Sequence, residues 1–480
     1  MGLRNKNFSA SLILAGIITL SSCTYIDSLK KIMNGKEESS ETESSQKDSS
    51  NIESSSSAIS SSATSSSSKS SSHSHSSSAE AISTASSSCI ASSSTASSIV
   101  QDPDTYNELN IYSIEMHDKY GDSLFIKYGD YDILIDAGDR GDGQYVQEFV
   151  DSHISSDKVL DLLVVTHCHS DHMGGLTKMS STDNDKKALD NVSKVKNIID
   201  FGHMRESNYM YDSYKILRES FIDNGAKYYS AYEAVNNLDG LTNIITFNEL
   251  SVEIIDTNYY ASKTTDFGGQ DSFPFNEYSV ATLIKYKNTK LFCAGDLENN
   301  GEKELIANSA NTSLKDIKDN DTVIYKACHH GTDVGSANNK TSGATSSNGG
   351  NRMALLKIIK PDFCLISSTI NESDHPFPRA LATMLYFTDE IYFNGTNGTL
   401  CFDLDGEDVG VQGLGATTNY KIDGVKIDYE KEKNKKYTDT EWYKNHVFKG
   451  AKSWYTGSKE NPTDKDLTEW YLAKLREDYK

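Results

Sequence analysis

Four side chains able to bind a metal fall within six residues: His167, His169, Asp171 and His172, in the stretch 166–175. His167 and His169 stand two apart at the end of an extended run, so their rings project to one side and can clamp a cation. Asp171 and His172 follow the turn and face a second position beside the first. Imidazoles with a carboxylate suit a pair of borderline divalent ions: zinc, manganese or iron. A His-rich surface loop is the bland alternative, but such loops seldom follow an apolar run such as Leu162-Leu163-Val164-Val165 directly. Gly174 and Gly175 then release the backbone, which predicts a strand, loop, helix setting for the ligands.

Two-metal chemistry also needs a carboxylate shared between the ions and at least one more imidazole, both placed where other strands end. Gly295-Asp296-Leu297-Glu298 follows the apolar 291–294, and Cys328-His329-His330-Gly331-Thr332 follows 323–327. His203 is the only histidine between His172 and Asp296, and it is assigned a structural or pocket role ahead of ligation. Cys168 lies between two ligands but alternates away from them, which predicts a packed, inert thiol.

The HxHxDH pattern after an apolar strand resembles the signature of the metallo-β-lactamase-fold hydrolases, and the resemblance continues over residues 108–405. The ordered blocks Asn276-Glu277-Tyr278-Ser279, Gly295-Asp296-Leu297-Glu298, His329-His330-Gly331-Thr332, His375-Pro376 and Thr396-Asn397-Gly398-Thr399 are similar to the branch that includes the hydrolase domain of DNA-uptake competence proteins. Secreted phosphorylcholine esterases are similar in the first three blocks. The fold implied is α/β, a four-layer αββα sandwich. The cofactors implied are two divalent metal ions, zinc foremost, with manganese or iron as alternatives. By the resemblance Asp296 bridges them, His167 and His169 hold one, and Asp171, His172 and His329 hold the other. Asp136 would buttress the metal loop by hydrogen bonds, or else form a turn at a strand end. His330 and His375 would contact substrate or donate a proton to the leaving group; the alternatives are support of His329 and a turn beside Pro376. His169, where redox di-iron relatives carry glutamate, argues for hydrolysis over electron transfer. The resemblance implies a phosphodiesterase acting on extracellular nucleic acid or a phosphodiester-bearing wall polymer. A β-lactam or other cyclic amide or ester hydrolase is one alternative, and a lipid-anchored binding or adhesion protein with a structural metal site is another.

The 480-residue chain has a net charge of -22, so it offers no broad basic footprint and no stable nucleic-acid complex is expected. Its hydrophobic share, 36%, and mean hydropathy, -0.54, are low for a fully folded chain. A serine-rich region accounts for the deficit. Residues 1–23 read as a lipoprotein signal. Arg4 and Lys6 precede an apolar run at 12–20 too short to span a bilayer, and Leu20-Ser21-Ser22-Cys23 looks like a lipobox. A lipidated Cys23 would place the protein on the outer face of a bacterial cell membrane; an ordinary signal peptide is the alternative. Residues 24–105 are expected to be a disordered Ser-rich linker, His73 and His75 included. About 70 such residues span roughly 45 Å as a coil, enough to reach a cell-wall layer. The hydrolase domain is assigned to 106–412, followed by a charged extension at 413–480 carrying Trp442, Trp454 and Trp470. Two short amphipathic helices docking on the core are expected there, with a wall- or glycan-binding appendage as the alternative. Apart from Cys23 and Cys89, the cysteines are Cys168, Cys293, Cys328, Cys364 and Cys401, expected as buried free thiols.

Apolar patterning predicts strands at 110–114, 123–128 and 131–136, a helix at 144–153, and a helix at 209–224 with Ile216, Leu217 and Phe221 as its buried stripe. A hairpin at 279–285 and 289–293 follows, then a helix at 302–307, a strand at 322–327, a helix at 353–359 and a strand at 362–366.

Overall fold

The computed structural model describes residues 108–480 except 117–119, 179, 181–183, 203–208, 261–274, 334–349, 371–374, 406–407, 417–420, 423–424 and 449–454. The signal and lipobox with Cys23, the linker with Cys89, His203 and Trp454 lie outside the described residues.

Strands β1 (Leu109–Ser113), β2 (Leu124–Tyr128) and β3 (Tyr131–Ile135) run antiparallel, the last two joined at Gly129, whose φ is +57°. Helix α1 (Gly143–His153) carries the chain over to β4 (Val159–Val165), parallel to β3. Parallel strands flanked on both faces read as continuous apolar runs, and every residue of β4 after Val159 is buried. The turn α2 (Ser170–Met173) leads to β5 (Lys194–Asp200), α3 (Tyr209–Asp223), β6 (Lys227–Ser230) and α4 (Ala231–Val235). The second sheet comprises β7 (Ile244–Phe247), β8 (Leu250–Ile255), β9 (Ala281–Tyr286) and β10 (Thr289–Cys293). After α5 (Asn299–Asn308) it continues with β11 (Thr322–Lys326), α6 (Met353–Ile359), β12 (Phe363–Ile366), α7 (Pro378–Leu385) and β13 (Ile391–Phe393). The chain then passes through α8 (Asn394–Asn397) and returns to the first sheet as β14 (Thr399–Leu404) and β15 (Val409–Gly415). The small pair β16 (Lys421–Ile422) and β17 (Val425–Lys426) precedes α9 (Tyr429–Glu432), α10 (Glu441–Asn445) and α11 (Asp464–Asp478). The first sheet has the order β15-β14-β1-β2-β3-β4-β5-β6, and the second β13-β12-β11-β10-β9-β8-β7.

Strand alternation splits the second sheet between two cores. Leu291, Cys293, Ile324 and Leu365 face the first sheet. Phe292, Val323, Tyr325 and Cys364 face α5, α6 and α7, whose Leu305, Leu355, Leu356 and Leu381 cover them. On the far face of the first sheet lie Val146 and Val150 of α1 with Tyr214 and Phe221 of α3. These are the four αββα layers expected.

Two expectations need correction. Ile216 is 71% exposed, and the buried face of α3 is Met210, Tyr211, Tyr214, Arg218 and Phe221. The cause is Asp200 at the end of β5: its buried carboxylate takes Arg218 at 2.9 Å and the Tyr214 hydroxyl at 3.0 Å, turning a polar pair inward. The boundary drawn at 412/413 also falls inside a strand, since β15 runs from Val409 to Gly415, while the docking expected of the extension is present. Its helices α10 and α11 dock on the core, with Tyr471 and Leu475 against Met353 and Ala382, and Phe448 and Leu467 against Phe377. Cys168, Cys293, Cys328, Cys364 and Cys401 are buried free thiols.

Candidate metal centre

The centre forms where β4, β10 and β11 end. Just past β4, Thr166 donates its backbone N–H and its hydroxyl to Asp136, at 2.7 and 2.6 Å. Asp136 follows β3, the parallel neighbour of β4, and has a φ of +59°, a conformation Asp tolerates better than most residues. The same carboxylate lies 2.7 Å from His172 Nδ1, which fixes that ring with Nε2 toward the centre. Gly175 is required by close approach, because a Cβ there would lie 1.9 Å from the Ala137 carbonyl oxygen. Gly295 brings the second sheet's loop against the first: its φ is +49°, and a Cβ would stand 2.6 Å from Thr166 Oγ1. Beyond it, the Asp296 N–H donates to Ser279 Oγ at 3.2 Å, and Asn276 Nδ2 donates to Glu298 at 2.8 Å.

Two groups of donor atoms that share Asp296 result, each within 4.8 Å: His167, His169 and Asp296, and Asp171, His172, Asp296 and His330. His167 Nε2 lies 3.1 Å from His169 Nδ1 and 3.8 Å from Asp296 Oδ2. In the second group His172 Nε2 is 3.0 Å and His330 Nε2 3.5 Å from Asp296 Oδ1, and His330 Nε2 is 3.1 Å from Asp171 Oδ2. Asp296 thus presents one oxygen to each group. Here the placement of the paired histidines differs from expectation. His330, expected to meet substrate, stands with Asp171 and His172. His329, expected there, lies with Nε2 3.7 Å from Asp296 Oδ2, on the side of His167, and Nδ1 3.0 Å from Glu298. The cause is backbone conformation, since His329 and His330 both have positive φ, +46° and +54°, which swings their rings apart. His375 sits outside both groups, its ring 6.3 Å from His330 and 6.5 Å from His329.

Three residues that sequence reading passed over complete the surroundings. Asp122, just before β2, is buried against the Lys326 ammonium, with His330 Nδ1 at 3.4 Å and His172 Nδ1 at 3.7 Å. Lys326 ends an otherwise apolar strand, and a lysine so placed demands a buried partner; that was its available signal. Tyr120 lies over the rings of His330 and His375, at 5.1 and 5.5 Å.

Electrostatics follow from this crowding of carboxylates. Burial alone would raise the Asp122 carboxyl, but Lys326, His330 and His172 hold it well below the usual range. Burial lowers His172 and His330, yet Asp296 and its neighbouring carboxylates override it and hold both well above an ordinary imidazole. His167 is pushed well down by burial, His172 and His169. At the middle, His172 Nε2 and Asp296 Oδ1 are buried and neither makes a hydrogen bond. Two such atoms 3.0 Å apart, left without a hydrogen bond, would both be satisfied by a cation that takes the place of the imidazole proton. The residues present therefore fit divalent metal.

A search of curated proteins gives no match. Among solved structures the chain is similar to the metallo-beta-lactamase fold protein YhfI from Bacillus subtilis, at 10% identity over 62% of this chain and 99% of that one, with a TM-score of 0.34. It is similar to the short form of human tRNase Z, at 14% identity over 54% and 92%, with a TM-score of 0.29. It is also similar to CmlA, a diiron beta-hydroxylase from Streptomyces venezuelae, at 13% identity over 54% and 44%, with a TM-score of 0.30. The family model described as "Metallo-beta-lactamase superfamily" matches residues 118–362, half of the sequence, and the chain belongs to that superfamily.

Proposed function

We propose that this protein is a dinuclear metal-dependent phosphodiesterase. The observation that carries the proposal is Asp296, one carboxylate shared by two donor groups, each of which draws side chains from both sheets. His167 and His169 with Asp296 would hold one ion, and Asp171, His172 and His330 with Asp296 the other. Zinc is the first choice for this donor set, with manganese or iron as alternatives. Two such ions, when bound, supply a nucleophile near neutral pH and offset charge on the phosphoryl oxygens. The chain's own residues prepare for this. Asp136 fixes the outer nitrogen of His172, and the Ser367 carbonyl, 2.8 Å from His330 Nδ1, with Asp122 at 3.4 Å, fixes His330. His375 and Tyr120 flank the second group, where they can hydrogen-bond a substrate oxygen.

The net charge of -22 favours turnover of a polyanion over its retention. The proposal includes anchoring through lipidated Cys23, with the 24–105 segment reaching the cell wall. Extracellular nucleic acid and phosphodiester-bearing wall polymer are then the accessible substrates. Replacement of Cys23 by serine should release the protein from membranes. The central test is metal content by mass spectrometry on the full-length protein, with turnover of bis(p-nitrophenyl) phosphate before and after chelation. About two metals per chain and chelator-sensitive turnover are expected. No metal and no turnover would overturn the proposal in favour of a binding protein, and turnover of a chromogenic lactam instead would reassign the substrate.

A further inference from the structure

We infer that Asn351 is the positioning residue for the paired-histidine loop, keeping His330 in the second donor group. The inference rests on the reading that this group takes a metal ion. Residues 328–332 have an unusual course: His329 and His330 are consecutive left-handed residues, a conformation that a Cβ disfavours. Such backbone persists only where its surroundings over-determine it. The buried amide of Asn351 supplies that constraint. Its Oδ1 accepts from the Cys328 N–H at 3.1 Å and the Tyr325 hydroxyl at 2.9 Å. Its Nδ2 donates to the carbonyl oxygens of Cys328, at 2.9 Å, and Thr332, at 2.6 Å. All four hydrogen-bonding positions of the amide are thereby used, and they join the first residue of the loop to the last.

Asn351 is itself held firmly. Its φ is +68°, its N–H donates to Glu302 Oε1 at 2.7 Å, and the Arg352 N–H donates to Oε2 at 3.0 Å. The remaining anchors attach the loop to its neighbours: the His329 N–H to the Gly295 carbonyl at 3.1 Å, and the Phe377 N–H to the Gly331 carbonyl at 3.0 Å. Asn351 sets the distance between the loop's two ends, and through it the direction in which His330 points. An aspartate at 351 would face the Cys328 and Thr332 carbonyls with a lone pair instead of a proton.

The test is zinc affinity of full-length N351G, measured by competition with a chromophoric chelator, alongside denaturant unfolding. Glycine keeps the left-handed backbone and removes only the amide. One of the two zinc sites should weaken about 10- to 100-fold while the other keeps its affinity and the protein stays folded. N351D should show the same selective loss, and it carries the test if N351G does not fold. Unchanged affinity at both sites in a folded variant overturns the inference. Equal weakening of both sites does so too, as does failure of both variants to fold, which would assign Asn351 to folding alone. A wild-type protein that binds no zinc would fail at the metal centre itself, a result distinct from any of these.

Discussion

Lys326 and Asp122 lie buried beneath the centre as a single ion pair flanked by two imidazoles. Removing the lysine leaves Asp122 with only the two imidazoles as counter-charge, so Lys326→Met should cost about 3 kcal/mol of stability, the low end for breaking a buried pair. Denaturant titration would show this, and adding Asp122→Asn should recover much of it. On the proposed two-ion reading, His330→Ala should reduce bound metal from two ions per chain to one, whereas His329→Ala should leave the Asp171, His172 and Asp296 group loaded; mass spectrometry of the intact protein reads both. The contrast marks where sequence reading stops. His167, His169, Asp171 and His172 are legible because their spacing is local and follows a strand. Asp296 is legible because it too ends an apolar run. Which of two adjacent histidines faces which group is set by left-handed backbone that Asn351 imposes from outside the motif, and no residue type in the motif reports it. Asp122 escaped for a related reason, since its partners His172, Lys326 and His330 are distant in sequence.

Helices were harder to orient than to locate. Helix α3 was expected at almost its observed bounds, and Phe221 and Leu217 do pack inward, but Ile216 was misassigned because Asp200 recruits Arg218 and Tyr214. Phe221→Ala should therefore cost about 3 kcal/mol and Ile216→Ala less than about 0.5 kcal/mol, read from thermal or chemical unfolding. Helix α5 carries a second element-scale effect. Burial pushes the Glu302 carboxyl up to about 8, although the N–H groups of Arg352 and Asn351 pull against it. A carboxyl raised in the folded state stabilises the protein while protonated. Its contribution is full below the ordinary glutamate value and is lost as pH rises through about 8. Unfolding free energy should thus fall between pH 5 and 8, and Glu302→Gln should flatten that slope. Strands bounded by explicit turn residues, such as β2, β3 and β10, came out within a residue or two, whereas β5 to β8, β13 and β14 were not foreseen. The extension's docking was legible from its tryptophans and tyrosines, while the continuation of the first sheet as β15 was hidden by its glycines.

At the scale of the molecule, the centre belongs to neither sheet alone, because β4 delivers its ligands from one and β10 and β11 from the other. Metal binding should accordingly stabilise the whole sandwich. At a free concentration of 100 times the dissociation constant the gain is about 2.7 kcal/mol per ion. Chelation should lower the melting temperature, and calorimetry with and without chelator checks it. Among the described residues no helix is long and apolar enough to cross a membrane. The shared carboxylate of Asp296 has one more consequence. Were two cations to share it as proposed, neither could have its full attraction: the first would offset its charge, and the second would meet a weaker field and a neighbouring positive charge. Loading should be stepwise and negatively cooperative, with a half-filled form over a broad range of metal concentration. A chain prepared with one kind of ion and then offered another should accept both, one in each seat.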